Sequence, residues 1–112
     1  MTEAALMAAV IELAQVLRYK CAHFTPAQVR GAWMTAGTQG TAGFPDLVIA
    51  GHGLLLFVEL KTARGRLSPA QVEWACALKG TGVQHYCWRP ADWTSGAIEA
   101  VLRGATAKRK AA

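Results

Sequence analysis

The chain has 112 residues, 53% of them hydrophobic, with a formal net charge of +5 and a pI near 9.5. That apolar content excludes a disordered chain, and the length points to one domain with its own core. The basic balance is compatible with a polyanionic partner but does not demand one.

Residues from Thr2 to about Arg18 read as a helix, capped by Thr2 and filled by Ala and Leu. Leu6, Met7, Val10, Leu13 and Leu17 form its apolar stripe. Glu3 falls at the end of that stripe, whereas Glu12 lies on the opposite face with Ala8 and Gln15. A strand over residues 19–24 follows, ended by Thr25-Pro26. Residues 25–43 carry Gly31, Gly37, Gly40 and Gly43 with no clear period and read as a long loop, with one helical turn near Pro26–Gly31. Asp46–Ala50 is a short strand, Gly51-His52-Gly53 a tight turn, and Leu54–Lys61 a second strand. Both faces of that second strand are apolar until its last residues, so it should be central and covered on both sides. Ser68-Pro69 then opens a helix with Val72, Trp74, Ala75 and Leu78 on its apolar side, stopped by Gly80 or Gly82. Val83–Trp88 is a last strand, and Pro90-Ala91-Asp92-Trp93 leads into a final helix through Leu102. The domain is expected over 1–104, with 105–112 as a flexible basic tail around Lys108-Arg109-Lys110. This order predicts an α/β fold, a mixed central β-sheet flanked by helices.

No apolar run reaches the length of a membrane span, and the N-terminus lacks a basic leader. Cys21, Cys76 and Cys87 are odd in number and lack CxxC spacing, which points to the cytoplasm and away from a disulfide framework or a zinc ribbon.

The chemistry concentrates in Gly43-Phe44-Pro45-Asp46 and in the apolar strand ending Glu59-Leu60-Lys61. Residues two apart on a strand share a face, so Glu59 and Lys61 stand side by side, roughly 6–7 Å apart. A turn centred near residue 52 puts Asp46 opposite Val58, one step from Glu59, and a small register change brings the two acids together. Two such carboxylates repel unless a cation lies between them. Mg²⁺ accepts one or two carboxylates together with water and phosphate oxygens, and can activate water against a phosphodiester. Lys61 can polarise that water or hold the phosphate. The ordinary alternative is a strand-end Glu–Lys pair with Asp46 capping a turn. Glu3 admits two readings as well: a buried carboxylate that meets the metal site, or a residue of a frayed first turn left in water.

Around this centre, Arg64 and Arg66 directly follow Lys61 and are the preferred phosphate contacts, ahead of Lys79, Arg89 and the 108–110 tail. Trp33 is the best candidate for stacking or a dimer contact, while Trp74 reads as core. His23 precedes the long loop and either approaches the site or makes a structural hydrogen bond. His52 reads as an exposed turn residue and His85 as strand packing. No histidine has metal-ligand spacing to another.

On these residues the chain resembles the VRR-NUC branch of the PD-(D/E)xK nucleases, in its small stand-alone phage and bacterial form. The matching segments are Thr2-Glu3, Ala22-His23-Phe24, Gly43 to Val48, Phe57 to Lys61, Gly65 to Gln71, Trp74, Val83 to Pro90 and Asp92. The resemblance implies a restriction-endonuclease-like core, ordered α-β-β-β-α-β plus a C-terminal helix. It implies Asp46 and Glu59 as ligands of Mg²⁺ or Mn²⁺, Lys61 as the catalytic lysine, Glu3 as an acidic residue near the metal, and Gln71 as a residue that orients water, ligand or phosphate. It further implies branched DNA as the partner of a homodimer similar to Holliday-junction resolvases. Substrate choice does not carry over, because the segment from Thr25 to Gly40 varies most within such families.

Overall fold

The computed structural model describes residues 1–24, 26–29, 32–35 and 40–111, and the side chains of 1–24 and 40–104. Helix α1, Glu3–Val16, is capped as the sequence predicts: the Thr2 hydroxyl accepts the Ala5 N–H at 3.0 Å. It ends at an αL residue, Arg18 (φ 70°), whose N–H reaches Gln15 O while Tyr19 N–H reaches Ala14 O. These two bonds satisfy the last carbonyls of the helix in the Schellman pattern. Strands β1 (Lys20–His23), β4 (Leu47–Gly51), β5 (Leu54–Leu60) and β6 (Gln84–Trp88) form one sheet in the order β1-β4-β5-β6. The first two pairings are antiparallel and β5–β6 is parallel, so the sheet is mixed and the fold is α/β. Strand β5 is central, as expected.

Two short strands, β2 (Pro26–Val29) and β3 (Ala32–Thr35), pair antiparallel in a separate hairpin. This corrects the expected loop and helical turn. The backbone amides of these residues find partners in each other, which four scattered glycines obscure at the level of composition. The helix after β5 is α2, Pro69–Gly80. The single final helix expected after β6 is two helices, α3 (Pro90–Thr94) and α4 (Ala97–Ala111), with the chain turning at Gly96 (φ 84°). Helix α4 thus runs past Leu102 and past the expected boundary at 104, and the side chains of 105–112 lie outside the described residues.

The sheet has two unlike faces. Leu47, Ile49, Leu56, Val58 and Leu60 point to one side and are fully buried against Leu6, Val10 and Ala14 of α1 and Ile98 and Leu102 of α4. Alternation sends Val48, Phe57, Glu59 and Cys87 to the other side, under α2. There the cover is incomplete: Leu55 is 42% exposed, so β5 is not covered along both faces as its apolar run implies. Val72, expected on the buried side of α2, is exposed, and Ala75 is the buried residue of that helix. No helix among the described residues is long and apolar enough to cross a membrane.

Candidate active site

The β4–β5 hairpin sets the site. Its loop is two residues, His52 (φ 52°) and Gly53 (φ 76°), the positive-φ pair that a type I′ turn requires. The resulting register pairs Gly51 with Leu54 and Leu47 with Val58. One further step places Asp46 across from Glu59, so no bulge is needed to unite the acids. The β1–β4 pairing also extends one step, with Phe24 N–H donating to Asp46 O at 3.0 Å. In the parallel direction Glu59 pairs with Cys87. Phe24, Asp46, Glu59 and Cys87 therefore form one transverse row on the α2 side of the sheet, at the end where β4 begins and β5 finishes.

Glu59 is 3% exposed and is the buried charged residue among those described. Its carboxyl accepts a 2.8 Å hydrogen bond from Gln71 Nε2 and shares a hydrogen bond with Asp46. The Asp46 carboxylate in turn accepts the Leu60 N–H at 2.8 Å. Burial first, then the hydrogen bond to Asp46 and its negative charge, push the Glu59 carboxyl up to about 9, with Lys61 opposing and Glu3 adding to the rise. The pair of acids therefore retains a proton at neutral pH.

Gln71 is fixed at both ends. It is the N3 residue of a capping box: Ser68 Oγ accepts its N–H at 3.2 Å, and its Oε1 accepts the Ser68 N–H at 2.8 Å. Its remaining Nε2 is left to face Glu59. Gly43 brings α2 and the Asp46 segment together. Its φ is 78°, and a Cβ there would lie 2.4 Å from Ala70 C and 2.6 Å from Gln71 N, so only glycine permits this approach. Lys61 is partly buried, and its N–H extends the parallel ladder to Trp88 O at 3.0 Å.

Of the sequence-derived candidates, Asp46, Glu59, Lys61 and Gln71 converge. Glu3 is exposed, although the Thr2 cap keeps its helical turn formed. Water therefore solvates it, while its charge still reaches Glu59. Among the described residues no three His, Cys, Asp or Glu side chains gather into a metal cage. The two touching acids still match a magnesium ion that keeps most of its waters. Arg64 and Arg66 are exposed on the turn after β5. His23 pairs with Leu47, so it projects to the sheet face opposite Asp46. The Trp33 side chain and those of Lys108, Arg109 and Lys110 lie outside the described residues.

Other expectations change. His52 is not a free turn residue: its Nε2 is 2.7 Å from Leu17 O, and its ring meets Tyr19 edge-on at 4.8 Å. Arg89 is not a plain surface cation, because its Nη1 donates to Thr62 O and Gly65 O at 2.7 and 2.6 Å. His85 does pack, with its Nδ1 buried and unpartnered, and burial with nearby Lys79 lowers its pKa. Sequence reasoning also passed over an aromatic wall beside the acids. Phe44 meets Phe24, Phe57 and Trp74 edge-on at 5.5, 6.0 and 5.0 Å. The available signal was alternation, since Phe57 lies two residues before Glu59 on the same face.

No family model matches the chain, and no curated protein or solved structure matches it either. The likeness to the VRR-NUC nucleases therefore rests on the quoted motifs alone.

Proposed function

We propose that this protein is a Mg²⁺- or Mn²⁺-dependent DNA endonuclease of the VRR-NUC kind, hydrolysing phosphodiester bonds at the Asp46–Glu59–Lys61 centre. The observation that carries this reading is the buried Glu59 carboxyl in contact with Asp46, its pKa raised to about 9. A packing role does not call for two touching acids at the open end of a sheet, since an apolar pair would cost less. A cation that replaces their proton turns the repulsion into a binding site.

In this reading Asp46 and Glu59 hold the ion, with Glu59 losing its proton to solvent on loading. When bound, the ion supplies an activated water and neutralises charge growing on the phosphate. Leu60 N–H fixes Asp46, and Gln71 fixes Glu59, so neither carboxylate must reorganise. Lys61, a point charge with three donors on the same side as Glu59, orients the attacking water or steadies the phosphate. Glu3 adds negative field at the rim. Arg64 and Arg66 take flanking phosphates, which makes binding fall steeply with salt.

A chain of this size presents one such centre, so paired cuts in a four-way junction need a homodimer. Strand β6, whose outer edge is unpaired among the described residues, and the helices beside it are candidate contact surfaces, as is the segment around Trp33-Met34. The test compares four-way junction, flap, single-stranded and linear duplex DNA with Mg²⁺, Mn²⁺ or EDTA, alongside light scattering at micromolar concentration. Metal-dependent nicking that favours junctions, from a particle of twice the chain mass, supports the resolvase-like form. Equal cutting of flaps and linear DNA by a monomer leaves a general nuclease. Binding without cleavage in either metal leaves a nucleic-acid-binding module and refutes the enzyme.

A further inference from the structure

We infer that Arg89 is a positioning residue that holds Lys61 and the Arg64–Arg66 turn in place, and that it does not itself contact phosphate. This rests on the nuclease reading above for what Lys61 does, but not for the clamp itself. Arg89 follows the last residue of β6, which pairs parallel with β5, so the two chains leave the sheet side by side. Lys61 N–H is bonded to Trp88 O at 3.0 Å, the last rung between them. One residue on, the Arg89 guanidinium crosses back and binds Thr62 O and Gly65 O through the same nitrogen, at 2.7 and 2.6 Å. Both are charge-assisted bonds to backbone carbonyls that would otherwise splay outward.

The Arg89 backbone is itself held. Its N–H donates to Asp92 Oδ2 at 2.7 Å, and Pro90 opens α3 directly behind it. The far side of the clamp is a tight turn, with Gly65 N–H donating to Thr62 Oγ1 at 3.0 Å. The turn passes beside the lysine: a Cβ added at Gly65 would lie 2.9 Å from Thr62 Oγ1 and 3.5 Å from Lys61 Cδ, so a side chain there would press on both. The bonds therefore hold the backbone on both sides of the lysine turn: Lys61 N–H on Trp88 O, and the carbonyls of Thr62 and Gly65 on Arg89. A lysine on a fixed backbone delivers its ammonium to a narrower range of places, and a fixed turn presents Arg64 and Arg66 together.

A phosphate contact and a clamp respond differently to substitution. A lysine at 89 keeps the charge that a phosphate needs, but its Nζ stops short of the position of Arg89 Nη1 and cannot bridge the two carbonyls. The test compares Arg89→Lys and Arg89→Gln with the wild type in three measurements. Amide hydrogen exchange at Gly65, without DNA or metal, should accelerate at least tenfold in both variants. Mn²⁺ affinity by calorimetry should stay within twofold of wild type, because Asp46 and Glu59 are untouched. In single-turnover cleavage both variants should lose tenfold or more in rate at saturating DNA. Gly65 exchange unchanged in both variants overturns the clamp. So does an Arg89→Lys enzyme that cleaves at the wild-type rate while Arg89→Gln only binds DNA more weakly, the signature of a phosphate contact. If the wild type cleaves nothing, the nuclease reading fails by itself, and Gly65 exchange still decides the clamp.

Discussion

Replacing Glu59 by glutamine separates the charge of the candidate site from its shape. The amide can accept from Gln71 and donate to Asp46, as the protonated carboxyl does in the metal-free fold. What it cannot do is ionise. In the folded protein the Glu59 carboxyl sits at about 9, against an ordinary value of 4.5. A group raised in this way contributes its full stability below the unfolded pKa and loses it as pH climbs through the folded pKa. The window therefore opens near pH 4.5 and closes near pH 9. Each unit within it costs about 1.4 kcal/mol, so by pH 7 the metal-free protein forfeits up to about 3 kcal/mol. That is a large part of the roughly 5–15 kcal/mol of a typical domain. Urea unfolding in EDTA at several pH values from 5 to 8 should show wild-type stability falling relative to Glu59→Gln by on the order of 1 kcal/mol per unit. Saturating Mg²⁺ should restore the wild type increasingly toward high pH and leave the variant unmoved. Stability curves that run parallel in the two proteins across this range would refute a buried, proton-retaining Glu59.

Asp46→Asn and Glu59→Ala should each abolish cleavage with the fold intact by circular dichroism, and Lys61→Ala should be nearly inactive yet still bind Mn²⁺; wild-type rates in any of the three would remove that residue from the site. Glu3→Gln should slow cleavage more than Glu12→Gln, since Glu3 alone places its charge on Glu59, and equal small effects would assign both to solvent. Gly43→Ala should cost a few kcal/mol and lower the urea midpoint, because it combines a positive φ with a Cβ pressed into the α2 backbone; an unchanged midpoint would mean that the loop and helix separate easily.

Most of the fold was legible because local chemistry and periodicity agree. The uninterrupted apolar run of β5 marked the central strand, and Ser68 as cap with Pro69 behind it marked the start of α2. The failures occur where short elements lack a period. Strands β2 and β3 have four residues each, too few for alternation to stand out among glycines. The break between α3 and α4 was carried by Ser95-Gly96 inside an otherwise helical stretch. His52 misled for a different reason. Its αL backbone turns the ring toward the end of α1, where Leu17 O accepts it, and such a long-range partner leaves no trace in local sequence.

The candidate site shows the same division more sharply. Its residue types were readable as exceptions to pattern, an aspartate ahead of one strand and Glu59 and Lys61 closing another. Their meeting depended on where the hairpin turns. A turn centred on His52 leaves Asp46 facing Val58, on the wrong face, whereas a loop of His52 and Gly53 puts it across from Glu59. A half-residue shift in the turn centre thus decides whether the acids touch. Glu3 and Arg89 mark the limit of such reading. Helical phase put Glu3 at the end of the apolar stripe of α1, but the folded chain leaves it in water. Charge alone made Arg89 one of several basic residues open to phosphate. The parallel pairing of β5 and β6, a contact between segments 28 residues apart, is what turns its guanidinium back onto Thr62 and Gly65. The acids are thus set by an antiparallel register and the lysine turn by a parallel one, so both neighbours of β5 are required for the centre to be complete.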